Sequence, residues 1–214
     1  MKDIAIFGAG GFGKEIASLI GRINESEPKW NLIGFFDDGK DKGMSISHYG
    51  TVLGGMDELN NYSSPLAVSI AIGNPKSLKN VRERITNNHI YFPNIISPNF
   101  GMADKATFSI GEGNIIGGGC WASCDVSIGN FNILNADIVI GHDVNIGDFN
   151  VIMPDIRISG EVSIGEQNLL GIGSIILQQI KVGNHVHLGA GAILMKKPKD
   201  GGVYLGNPAK LFKY

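Results

Sequence analysis

From Ile110 to Leu194 a large aliphatic residue returns at every sixth position without a slip. The series runs Ile110, Ile116, Ile128, Leu134, Ile140, Ile146, Ile152, Ile158, Ile164, Leu170, Ile176, Val182, Leu188, Leu194, and only Ala122 departs from it in size. An amphipathic helix spaces apolar residues at three and four, and a half-buried strand at two. A period of six fits neither and points to stacked copies of one short unit.

A second beat of eighteen lies inside the first. Two residues before the aliphatics, Asn114, Asn132, Asn150 and Asn168 form one series and Val126, Val144, Val162 and Ile180 another. Three hexads per coil describe a triangular solenoid in which each hexad is a short parallel strand and the aliphatics stack inward. The glycines that follow the aliphatics are expected where the chain bends. The predicted fold of this part is a left-handed parallel β-helix of hexapeptide repeats, about five coils long.

The chain of 214 residues changes pattern near residue 95, which predicts two domains: a small Rossmann-like α/β domain over 1–94 and the β-helix with a C-terminal tail over 95–214. Ile4 to Phe7 reads as a buried parallel strand. Gly8-Ala9-Gly10-Gly11-Phe12-Gly13 follows, then a helix with Ile16, Leu19, Ile20 and Ile23 on one face. That is a G-x-G-x-x-G turn between a strand and a helix, where glycines let a phosphate approach backbone N–H groups at a helix N-terminus. A second strand, Leu32 to Phe36, ends in Asp37-Asp38, an acidic pair suited to a ribose or sugar hydroxyl. Residues 39–64 read as loops with a short strand near Val52. Leu66 to Ile72 is a further buried strand closing on Gly73-Asn74-Pro75. A helix carrying Leu78, Val81 and Ile85 follows, and then a short strand at Ile90 to Phe92.

A net charge of -2 gives no electrostatic footprint for nucleic acid or an anionic membrane. Cys120 and Cys124 are too few for a disulfide framework or a zinc site, and read as free thiols in a reducing cytoplasm. No signal peptide or membrane span is visible.

For chemistry, a transferase acting on a thioester needs a base and a donor for the carbonyl oxygen. Of the five histidines, His48, His89, His142, His185 and His187, only His142 lies mid-repeat beside an acid, Asp143. Neighbours on a strand point to opposite faces, so a turn is needed to bring the two together. On residues alone His142 is either a base or a surface side chain. His185 and His187 lie two apart on one side of a predicted strand, but over two coils from His142, and no metal site is expected.

These motifs resemble a known family. Phe7-Gly8-Ala9-Gly10-Gly11-Phe12-Gly13-Lys14, Phe36-Asp37-Asp38, Ala71-Ile72-Gly73-Asn74, Ile133-Leu134-Asn135, Gly141-His142-Asp143 and Leu205-Gly206-Asn207-Pro208-Ala209-Lys210 are similar to those of bacterial hexapeptide-repeat sugar acetyltransferases. These include the sialic acid O-acetyltransferases and, more closely, the UDP-4-amino-sugar N-acetyltransferases of bacillosamine synthesis. The resemblance implies acetyl transfer from acetyl-CoA to the amino group of a UDP-linked sugar, with His142 as general base and Asp143 raising its basicity. It implies a nucleotide-sugar site at Gly10, Gly11, Phe12, Gly13, Asp37, Asp38, Gly73 and Asn74. It further implies a homotrimer with acetyl-CoA in the groove between subunits, near Val151, Gly160, Ile172, Gly173, Ala190 and Gly191. Val151 is a departure: the family often carries a second histidine there. O-acetylation of a sugar is the neighbouring alternative. From other classes, a nicotinamide oxidoreductase would use the glycine turn but leave the solenoid without a task, and a non-catalytic trimeric scaffold would release no thiol from acetyl-CoA.

Overall fold

The structure is a computed structural model and describes residues 1–212. The chain divides into two compact units, one of Met1–Gly73 with Ser77–Pro98, the other of Asn74–Lys76 with everything from Asn99 onward.

The first unit is built on a five-stranded parallel sheet. Its strands are β1 (Lys2–Phe7), β2 (Trp30–Phe36), β3 (Val52–Gly54), β4 (Leu66–Ile70) and β5 (Ile90–Tyr91), in the order β3-β2-β1-β4-β5. Ile4 to Phe7 and all of β4 are buried, as sheets covered on both faces require. Helix α1 (Gly11–Ser26) buries Gly13, Ile16, Ala17, Leu19 and Ile20, while Ile23 is only half-buried. Helix α3 (Pro75–Arg84) starts on a proline at its first position, where the missing N–H costs no helical bond. A five-residue helix α2 (Met56–Asn60) stands where the sequence suggests only loop. Its cue is Glu58, whose Oε2 accepts from the Gly55 N–H at 2.7 Å and caps the turn.

The second unit is a triangular prism. Two-residue strands pair in parallel at a constant step of eighteen: Trp121↔Val139↔Arg157↔Ile175 on one face, Ser127↔Asn145↔Ser163↔Lys181 on the next, Ile133↔Val151↔Leu169↔His187 on the third. The sixth-position aliphatics fill the interior, and Leu134, Ile140, Ile152, Leu170 and Ile176 are fully buried.

The bends arise at other residues than expected. Every sixth residue from Gly113 through Gly119, Asp125, Phe131, Asp137, Asp143 and onward to Gly191 has a positive φ. Most are not glycine; the turn is imposed by the coil above and below. The glycines directly after the aliphatics serve close packing instead. A Cβ on Gly141 would lie 2.6 Å from the Gly160 nitrogen of the next coil, so the side chain is excluded by backbone.

The asparagine series is a buried ladder. Asn132 Oδ1 accepts from Asn150 N–H and Nδ2, both at 2.9 Å, and Asn150 Oδ1 accepts from Asn168 N–H at 2.9 Å and Nδ2 at 2.8 Å. All four asparagines are fully buried. Cys120 is a buried and Cys124 a half-buried free thiol. Among the described residues no helix is long and apolar enough to cross a membrane.

Candidate functional site

In the first unit, the turn after β1 leads into the N-terminus of α1. Gly8 has φ +108, and a side chain on Gly13 would strike the Gly8 carbonyl, so both glycines are needed by the turn itself. Gly10, Gly11 and Gly73 differ: a Cβ on any of them would meet nothing within 4 Å. Gly10 caps α1 without a side-chain hydrogen bond, leaving the first N–H groups of a 16-residue helix pointing outward, as an anion cradle requires. Phe12 is half-buried beside them. Gly73 follows β4, the neighbour of β1, at the point where the strand order reverses and α/β sheets bind ligands.

The acidic pair is already engaged. Asp37 Oδ2 accepts from the Ala9 N–H (2.7 Å) and Oδ1 from the Gly39 N–H (2.9 Å), tying β2 to the glycine turn. Asp38 Oδ1 accepts from the Met56 N–H (2.7 Å), and its Oδ2 pairs with Arg84 at 3.0 Å. A cavity of about 320 Å³ opens beside them, with Lys40, Lys42 and Arg84 in its lining.

In the prism, His142 and Asp143 occupy the corner after the strand Val139–Ile140. Asp143 has φ +57, and this left-handed step supplies the turn that adjacent residues need. The result is a hydrogen bond between His142 Nδ1 and Asp143 Oδ2 of 2.7 Å. An ionised carboxylate can only accept, so Nδ1 carries the hydrogen and Nε2 presents a lone pair. The imidazole lies over Gly160 of the next coil. A Cβ there would sit 2.5 Å from Nε2, 2.7 Å from Cε1 and 3.0 Å from Cδ2.

Ile172, Gly173, Ala190 and Gly191 stack at a different corner, where the Gly191 N–H donates to the Ile172 carbonyl at 2.8 Å. Gly173 (φ +66) and Gly191 (φ +63) leave open space in their left-handed positions, whereas Asp155, one coil earlier, pairs with Arg157 at 2.8 Å. That corner is therefore cleared over its last coils. One face, carrying Trp121, Val139, Arg157 and Ile175, separates it from the His142 corner. Trp121 and Val139 remain exposed there. Val151 is fully buried on the third face. A single chain thus gathers His142, Asp143 and Gly160, and leaves Ile172, Gly173, Ala190, Gly191 and Val151 elsewhere.

His185 sits at a left-handed corner rather than on a strand, and His187 on the strand beyond it. Among the described residues no group of three or more His, Cys, Asp or Glu could hold a metal ion. Glu161, one coil on from His142, and Gln178 and Gln179, which hold it from the coil beyond, are not singled out by the sequence. The eighteen-residue step from His142 and Asp143 was the signal that leads to them.

A parallel-sheet unit with a hexapeptide-repeat prism is the fold of acetyltransferases of known structure, and by that likeness the chain is an acyltransferase. More particularly, it is similar over its whole length to sugar acetyltransferases, and residues 3–86 match the family described as the PglD N-terminal domain. The acetyltransferase domain of PglB from Neisseria gonorrhoeae FA1090 is 28% identical with a TM-score of 0.88, covering 99% of this chain and 100% of that one. It has also been solved with acetyl coenzyme A. WeeI from Acinetobacter baumannii AYE is 26% identical, TM-score 0.87, covering 99% and 100%. A perosamine N-acetyltransferase from Caulobacter crescentus, solved with CoA and GDP-perosamine, is 22% identical, TM-score 0.88, covering 100% and 98%. At that identity the likeness speaks for the fold alone. No curated protein matches the chain in a sequence search.

Proposed function

We propose that this protein transfers the acetyl group of acetyl-CoA to the amino group of a nucleotide-linked amino-sugar, with UDP as the nucleotide. The observation that carries the reading is the 2.7 Å bond from His142 to Asp143, which fixes one tautomer and leaves Nε2 free to take a proton. As the acceptor nitrogen attacks the acetyl carbonyl, Nε2 accepts the proton the nitrogen must lose; the carbon–sulfur bond then breaks and CoA leaves as the thiol. The open glycines of the first unit, with the N-terminus of α1, hold the diphosphate. Asp37 and Asp38 shape that site by holding the turn and α2 in place.

The corner at Gly173 and Gly191 takes acetyl-CoA. It lies across a face from His142, so the site is completed by a second copy of the chain, which supplies the other corner and covers Trp121 and Val139. A homotrimer in the cytoplasm is the arrangement we infer. Similarity to an acetyltransferase domain solved with acetyl coenzyme A supports acetyl-CoA as the donor.

The test is thiol release from acetyl-CoA over a panel of UDP- and GDP-linked amino-sugars and free sialic acids, with His142→Ala alongside. Release with a UDP-amino-sugar that falls by roughly 10²–10⁴ in the variant is the expected result. Release that survives the substitution would remove His142 from the mechanism, and release with a sialic acid alone would move the acceptor to a hydroxyl.

A further inference from the structure

The His142 corner is tied through three successive coils, and the third tie has no place in the chemistry so far. The Glu161 N–H donates to the His142 carbonyl at 2.8 Å, and the neighbouring Gly160 forms the seat of the imidazole. The Glu161 carboxylate is gripped from the coil beyond: Gln178 Nε2 donates to Oε1 at 2.9 Å and Gln179 Nε2 to Oε2 at 3.0 Å. Neutral amides hold a carboxylate in position without cancelling its charge. Held by one amide on each oxygen, Glu161 keeps its charge and acts on its surroundings through its field.

Building on the acetyltransferase reading, we propose that Glu161 is a positioning residue for the reaction: gripped by Gln178 and Gln179, it sets a second negative charge beside His142, one coil on from that of Asp143. The moment at which this matters is defined by the proton. When Nε2 takes the hydrogen from the acceptor nitrogen, the nitrogen bonds to the acetyl carbon and the imidazole becomes a cation. It stays so until the carbon–sulfur bond breaks and the proton passes to the departing sulfur. A neighbouring carboxylate favours that cation, and a second one adds to it.

The hydrogen bonds from Gln179 and Gln178 hold the Glu161 carboxyl below the usual carboxylate range, and attraction to His142 acts in the same sense, against repulsion from Asp143. The groups around the imidazole are Asp143 on its own turn, Glu161 on the coil after, and Cys124 and Asp125 at the same register positions on the coil before, where the Cys124 carbonyl accepts from the Asp143 N–H at 3.1 Å.

The experiment compares Glu161→Gln and Glu161→Asp in the full chain. With the UDP-amino-sugar that gives thiol release, Glu161→Gln lowers kcat roughly two- to fivefold, the scale of one exposed charge. KM for acetyl-CoA and for the sugar stays unchanged. The loss shrinks in about 1 M salt, and Glu161→Asp recovers part of it. Thiol release by the starting protein with an unchanged kcat in Glu161→Gln, a loss that salt leaves in place, or a loss carried by KM alone overturns the role of Glu161. No release by the starting protein with any acceptor overturns the functional reading, and this inference with it.

Discussion

Gly160→Ala isolates the position of the base from its chemistry. The added Cβ would stand 2.5 Å from Nε2 of His142, about 0.9 Å inside the ordinary contact distance of 3.4 Å, so the ring must move by roughly an ångström. It has room to do so, because the His142 side chain is 49% exposed. Gly160 does not adopt a left-handed φ, so alanine fits its backbone and stability is expected to hold or rise by a few tenths of a kcal/mol through the unfolded chain. A displacement of that size at a reacting group costs on the order of 10² in rate. The assay is steady-state thiol release with the best acceptor, beside thermal unfolding of the same preparation and a crystal structure of the variant. The expected pattern is a kcat down about a hundredfold with Tm kept and KM for acetyl-CoA within about twofold. If kcat stays within about threefold of the starting enzyme while the crystal structure shows the ring displaced, the place of Nε2 over Gly160 has nothing to do with turnover. A rise confined to the KM for acetyl-CoA would instead make Gly160 a cofactor contact.

Two further outcomes follow from burial. Asn150→Ala removes the acceptor of the buried Asn168 N–H and the donor to the half-buried Gly165 carbonyl; the orphaned groups cost about 2–4 kcal/mol, read as a lower midpoint in guanidinium, whereas the exposed Asn145→Ala costs under ~0.5 kcal/mol. Burial pushes the Cys120 thiol up to about 11, so iodoacetamide at pH 8 labels Cys124 and spares Cys120, which peptide mass mapping reads directly. The sign also places an alkaline limit: the unfolded thiol ionises first, so the contribution of Cys120 to stability is full below its ordinary value of 9.0 and is lost as pH rises toward 11.

The prism was legible because its periodicity is a property of side chains alone: one large aliphatic inside every hexad, repeated without insertion. The location of its bends was not. Asp143 and Glu161 carry the left-handed turns although neither residue type demands it, since hydrogen bonds to neighbouring coils fix their conformation. His142 and Asp143 could be read as a pair only with a turn between them, and that turn belongs to the coil rather than to the dipeptide. The asparagine series and the eighteen-residue coil were both visible, but the beat does not say whether the amides turn inward and bond from coil to coil, as they do, or outward to water. Asp37 and Asp38 read as ligand-facing because they end a strand; their backbone partners, Ala9, Gly39 and Met56, lie on three separate segments. The α2 helix was lost among polar residues because five residues show too little periodicity.

The constant step of eighteen makes the second unit a counting device. Adding a whole coil anywhere along it would lengthen the prism and return every later residue to its own face. Adding six would carry the chain round by one face, so that a corner built for one task would arrive where another stands. For a site assembled from two corners, length is therefore free to vary in units of eighteen and in no smaller unit. Chains of this kind can diverge in height while the histidine keeps its address.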